Sequence, residues 1–267
     1  MDNLNPMDMR PKSSGSDTHQ PFDVVQLPSK GLLYRTGPLA GKETIEIYYL
    51  TAAHEDILTS PNLLATGKMI ELLLKAVIKN RDINSEDLVL GDRNAILVWL
   101  RSTGYGSEYP VRIRCRSCLE TYDHEFDLSE LNLKFLETTP DENGLFSTVL
   151  PVSKKTVKFS LMTGREENEL NDILEKKKSK IGSPISNATT LKISKLIKEV
   201  DGSSDLTLIR NFVSNMSAKD SREFRKVVMD IEPGVILRQE AKCKLCGSIS
   251  EEVVPINPNF FWPDIQL

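Results

Sequence analysis

The 267-residue chain has little of what several protein classes require. Its longest uninterrupted apolar run, Ala95–Leu100, is six residues, where a membrane-crossing helix needs about 20. The first residues, MDNLNPMDMRPKSSGSDTHQ, contain no apolar core and read as neither a signal peptide nor an anchor. Four cysteines are too few for the disulfide framework of a secreted scaffold of this length. Hydrophobic residues make up 39% and aromatics 6%, lean for one large core. The three histidines, His19, His54 and His124, lie far apart, and no nucleophile elbow, phosphate loop or dinucleotide fingerprint occurs. The chain therefore reads as non-enzymatic. Charge excess is missing too. The 34 basic and 38 acidic residues give a net charge of −4, and neither half has the basic footprint of a nucleic-acid binder. These absences predict a water-soluble, intracellular protein of about two domains with no membrane contact.

What is present is a repeated order of elements. Residues 1–20 are polar and aperiodic and read as a flexible tail. Phe22–Tyr34 reads as an extended segment, a turn at Pro28–Gly31 and a second extended segment. Thr44–Leu50 has the pattern of a strand. Helical spacing follows over Thr51–Thr59 and Lys68–Lys79, and a further helix is expected after an N-cap at Asp92. Tyr109–Arg114 and Tyr122–Leu128 read as a hairpin around Cys115 and Cys118. The second half repeats this order. It has a strand at Thr156–Leu161 and helices near Thr163–Lys180, Thr190–Val200, Asp205–Asn215 and Ala218–Asp230. Capping boxes stand at Thr163–Glu166 and Ser217–Asp220. Strands around Ile236–Lys242 and Ile249–Val254 then flank Cys243 and Cys246.

A constant offset of 128 residues relates Asp92 to Asp220, Ile96 to Phe224 and Leu100 to Val228. It also relates Gly106 to Gly234, Cys115 to Cys243, Cys118 to Cys246 and Leu128 to Ile256. Thr51 and Thr163 correspond at an offset of 112, so the second half carries 16 extra residues within its helical region. The expected fold is α+β and internally duplicated, with a first half over residues 21–140 and a second over 141–267. Each half has short strands, a helical cluster and a cysteine-bearing hairpin.

Cys115-Arg-Ser-Cys118 and Cys243-Lys-Leu-Cys246 contain every cysteine of the chain. Two-residue spacing lets both thiolates of a hairpin tip face one tetrahedral ion. Four thiolates predict one closed, structural zinc site to which each half contributes a pair. Free or redox-active thiols are the competing reading. His124 is a substitute ligand only if a cysteine is not used. Arg114, Arg116 and Lys244, near the hairpin tips, read as polar contact residues or as solvated charges.

Lys176–Lys198 holds seven lysines and no acid, and reads as a solvated helix end or a docking patch. It supports the alternative function, a zinc-ribbon protein that binds nucleic acid through this basic segment. The terminal Asn259-Phe-Phe-Trp-Pro-Asp264 reads equally as a segment that docks back on its own domain or one that enters a partner.

Several stretches also carry a family resemblance. They are Leu27-Pro-Ser-Lys-Gly-Leu-Leu-Tyr34, the TIEIYYL strand, Glu55-Asp-Ile-Leu-Thr-Ser-Pro-Asn62, Gly91-Asp-Arg-Asn-Ala-Ile-Leu97, Thr103-Gly-Tyr-Gly106 and the terminal Phe-Phe-Trp-Pro. Over Phe22–Asp264 the chain resembles the baseplate hub proteins of contractile-tailed, T-even-type bacteriophages, of the gene-twenty-six-product type. The resemblance implies a non-enzymatic component or assembly factor (chaperone) of the tail baseplate hub, acting by protein–protein interaction. The implied partners are tape-measure, central spike and other hub subunits. The implied locations are the host cytoplasm during assembly and the tail baseplate of the virion.

Overall fold

In the computed structural model, residues 20–178, 187–256 and 260–261 are described. Residues 1–19 of the expected tail, Lys180, and Asn259 and Trp262-Pro-Asp264 of the terminal motif lie outside the described residues. The architecture is α+β: among the described residues, eight α-helices stand with small antiparallel sheets.

The chain opens with a hairpin. β1 (Phe22–Gln26) pairs antiparallel with β2 (Thr44–Tyr48), with Val25 opposite Ile45. Val25, Ile45 and Ile47 are buried while most of their strand neighbours face out, so the hairpin lays one apolar face on the core. No second extended segment follows β1. Leu27 Pro28 begins a chain of turns in which Lys30 and Gly31 adopt positive φ. Helices α1 (Ala52–Leu58), α2 (Pro61–Thr66), α3 (Met69–Val77) and α4 (Leu90–Tyr105) come next. A second hairpin follows, β3 (Glu108–Arg114) with β4 (Thr121–Asp127).

The order then recurs. β6 (Phe146–Val149) and β7 (Thr156–Phe159) form a hairpin, preceded by the two-residue β5 (Leu133–Lys134). Helices α5 (Gly164–Lys178), α6 (Ala188–Leu196), α7 (Leu206–Ser214) and α8 (Ala218–Ile231) follow. Residues 197–200, expected as the end of a helix, are instead the strand β8 (Ile197–Val200), which pairs with β7. The β-branched Ile197 and Val200 are both buried, and burial beside the sheet outweighs the helical spacing. After β9 (Gly234–Val235), β10 (Arg238–Lys242) and β11 (Ile249–Val253) make the last hairpin.

Two expected caps differ from the structure. Val89, not Asp92, is the N-cap of α4, and Asp92 sits one turn inside, buried. Its carboxylate accepts the Ser29 N–H at 2.8 Å, the Ser29 hydroxyl at 2.5 Å and the Tyr34 hydroxyl at 2.7 Å. In α8, Ser217 accepts the Asp220 N–H at 3.0 Å as a cap should, but the Asp220 carboxylate does not reach back. It accepts the N–H groups of Val152 at 2.8 Å and Ser153 at 3.0 Å, in the turn between β6 and β7. In both helices the acid ties the helix start to the turn of the preceding hairpin. The box at Thr163–Glu166 forms in both directions.

Apolar side chains gather in two main clusters. One takes Val25 through Leu128 together with Val254, Phe260 and Phe261; the other takes Leu136 through Val228. The chain passes between them several times: Leu33 and Leu90 pack against the second cluster, and Val235 and Leu237 against the first. Leu136 packs in the second cluster, and the C-terminal Phe260 and Phe261 pack in the first. The seam is also hydrogen-bonded. β5 pairs with β9, and Leu90 donates to Met162 O at 3.0 Å. Gly164 donates to Leu88 O at 2.9 Å, and Arg93 on α4 bonds Glu167 on α5.

Candidate metal centre

The two cysteine hairpins stand side by side. Each tip turns in the same way: the N–H of Leu119 reaches Cys115 O at 3.1 Å, and that of Gly247 reaches Cys243 O at 2.9 Å. Both turns close at a positive φ, +63° at Leu119 and +73° at Gly247. Cys115 N–H donates to Glu120 O and Cys243 N–H to Ser248 O, each at 2.9 Å. The spacing of two residues thus bends both tips so that their side chains meet.

All four sulfurs lie within 4.8 Å of one another. Contacts run between the hairpins: Cys115 Sγ is 3.7 Å from Cys246 Sγ, and Cys118 Sγ is 3.9 Å from Cys243 Sγ. These are far outside bonding distance for a disulfide, and all four are free thiols. Tetrahedral zinc with 2.3 Å bonds to sulfur sets neighbouring sulfurs about 3.8 Å apart. The donor set and its spacing therefore fit that ion. His124 is not part of this cluster; its ring packs edge-on against Phe126 at 4.6 Å between centroids.

The sulfurs sit in graded exposure. Cys115 and Cys243 are buried, Cys118 is half-buried and Cys246 is exposed. The backbone N–H groups of Cys118 and Ser117 hold the Cys115 thiol down at about 6, against burial. At Cys118 the Glu120 backbone contact pulls downward, yet burial and the three neighbouring sulfurs push the thiol up to about 12.

The hairpins touch beyond the sulfurs. Arg116 on the first reaches Glu252 on the second at 3.1 Å, and the hydroxyls of Ser117 and Ser248 are 2.9 Å apart. Arg114 donates to Leu119 O at 2.8 Å, within its own turn, and Lys244 is exposed. At the base, Gln239 of β10 bonds the Asp127 backbone, and Tyr109 donates to Pro255 O at 3.1 Å. Beneath them lies the one functional-looking residue that the sequence reading passed over. Arg101 is 2% exposed, and its guanidinium donates to the carbonyls of Phe260 at 2.9 Å, Gly106 at 2.5 Å and Glu108 at 2.9 Å. A charged residue inside the apolar face of α4 was the available signal, since such a residue is rarely buried without partners.

Of the basic segment, Lys195 pairs with Glu169, and Lys198 bonds Glu166 at 2.8 Å and Lys195 O at 2.7 Å. These lysines are engaged with α5.

Among the described residues no helix is long and apolar enough to cross a membrane. No curated protein and no solved structure matches the chain. A model of the protein family described as T4 bacteriophage base plate protein matches residues 24–262, most of the chain, and the chain belongs to that family.

Proposed function

We propose that this chain is a non-enzymatic component or assembly factor of the phage tail baseplate hub, acting through protein–protein contacts. One structural zinc ion, held by Cys115, Cys118, Cys243 and Cys246, ties its two duplicated halves together. The observation that carries the reading is the meeting of two cysteine pairs, one from each hairpin, in a chain of the baseplate family. A site closed by four thiolates has no open position for water, so its part is structural and not hydrolytic.

The duplication is supported by the recurring order of hairpin, helices and cysteine hairpin. It is further supported by Asp92 and Asp220, 128 residues apart, each tied to the turn of the hairpin before it. The division into residues 21–140 and 141–267 follows the two apolar clusters for most of the chain, with Leu136 crossing to the second cluster and Val254, Phe260 and Phe261 crossing to the first. The partners are other tail proteins, among them tape-measure, spike and hub subunits, met in the host cytoplasm while the tail is built.

Two measurements test this. Metal analysis of reduced, purified protein is expected to give one zinc per chain; less than half an equivalent overturns the site. Quantification in finished tails and in assembly intermediates separates the two roles. Stoichiometric presence in finished tails makes it a structural subunit, presence only in intermediates makes it an assembly factor, and absence from both overturns the baseplate reading.

A further inference from the structure

The outward face of α8 has a composition that the packing of the protein does not account for. At 100° per residue, Asp220, Phe224 and Val228 point into the second cluster, and all three are buried. Lys219, Arg222, Arg225, Lys226 and Met229 fall on the opposite side, and all five are exposed. Met229 shows 61% of its surface and stands within the arc of the four cations. Among the described residues none of these cations makes an ion pair; Arg225 alone makes a side-chain bond, to the carbonyl of Ser221 in its own helix. The exposed acids of α8, Glu223 and Asp230, lie on the flank next to Lys219 and do not interleave with the stripe.

The corresponding face of α4, 128 residues earlier, is covered. Gly91 presses on the Pro233 carbonyl so closely that an added Cβ would stand 1.9 Å from its oxygen. Leu97 and Val98 are buried, and Arg101 is roofed by Phe260. The same helical positions in α8 are bare, and cations replace the aliphatic pair.

We propose that this face of α8 docks an acidic protein segment, with carboxylates facing Lys219, Arg222, Arg225 and Lys226 and an apolar side chain received against Met229. Charge complementarity names the partner's sign, and Met229 at the centre favours a protein over a phosphate backbone, which offers a thioether nothing to pack on. The inference deepens the protein-binding reading above and is independent of zinc and of whether the chain stays in the finished tail.

The test uses the full chain and three fluorescent probes: the peptide Ac-EELLEELEE-NH2, its glutamine counterpart Ac-QQLLQQLQQ-NH2, and a short DNA duplex. Anisotropy is expected to show the glutamate peptide binding at least about tenfold tighter than the glutamine one in low salt. The preference should fade as salt is raised from about 50 mM to about 300 mM. Arg222→Glu with Lys226→Glu is expected to weaken the glutamate peptide by about tenfold or more, and Met229→Ser several-fold, with melting temperature unchanged. The milder pair Arg222→Gln with Lys226→Gln serves if the reversal perturbs folding. No binding of the glutamate peptide, equal binding by the variants, or tighter binding of the duplex at the same salt overturns the proposal. Zinc content of the same samples keeps the readings apart. Full zinc without peptide binding overturns the docking face alone, and peptide binding without zinc overturns the metal centre alone.

Discussion

Asp92 and Asp220 hold matching positions in their helices and titrate in opposite directions. Burial raises the Asp92 carboxyl above its ordinary 3.8, and its bonds to Ser29 and Tyr34 only partly offset this. Tyr34, itself pushed up by burial, remains protonated and donates to it. A folded state that holds this proton more tightly than the unfolded chain loses stability as pH rises from 3.8 through the folded-state value. At Asp220 burial also favours the neutral acid, but the N–H groups of Val152 and Ser153 win and hold the carboxyl below 3.8. Its stabilisation is present above 3.8 and is lost as pH falls through the lower, folded-state value. Urea titrations across pH should therefore separate the two: Asp92→Asn removes a stability loss on the rising side of 3.8, and Asp220→Asn flattens the acid limb below it. Arg101 is the other decisive residue. Arg101→Ala leaves the buried carbonyl of Phe260 and the carbonyls of Gly106 and Glu108 without their donor, and is expected to cost about 3 kcal/mol in chemical denaturation. A loss below about 1 kcal/mol would mean that water takes over those carbonyls.

Among the elements, α4 governs the join. Gly91 lets it lie directly on the strand β9, far along the chain, and the Pro233 carbonyl leaves no room for a methyl group. Gly91→Ala should push β9 away and lower stability by about 1–3 kcal/mol, read as a drop in the thermal midpoint. The C-terminal segment is held on the same helix. Phe260 and Phe261 are 0% and 1% exposed and pack with Tyr105 and Tyr109 in the first cluster. Phe260→Ala is expected to cost about 3–5 kcal/mol. Hydrogen exchange should then quicken in α4 and β3, far earlier in the chain, more than in α7. The opposite pattern would show that the segment supports its own half.

At the scale of the whole molecule, three devices join distant parts of the chain: the cysteine centre at the hairpin tips, Arg101 at their base, and the β5–β9 pair. If zinc couples the two hairpins, Cys115→Ser and Cys243→Ser should lower the denaturation midpoint alike, and a strong chelator should reproduce both. A midpoint unmoved by the chelator would leave the sulfurs as an uncoupled thiol cluster.

Much of this was legible in the sequence because short-range chemistry decides it. Two-residue cysteine spacing fixes the shape of each hairpin tip, alternation gives β1 to β4, and Thr163 with Glu166 forms the expected box. Periodicity failed at 197–200, where contact with β7 overrides helical spacing. Asp92 and Asp220 looked like caps because acids near a helix start usually are; their partners lie 63 and 68 residues away, beyond any local pattern.

The amino-acid sequence by itself determined most of the helices, the cysteine hairpins and the identity of the four thiols, since each depends on neighbours a few positions apart. Only the tertiary structure decided how closely the thiols approach, that Phe260 and Phe261 belong to the first core, and that one face of α8 stays bare. Those outcomes depend on which distant surfaces meet, and no local spacing encodes that.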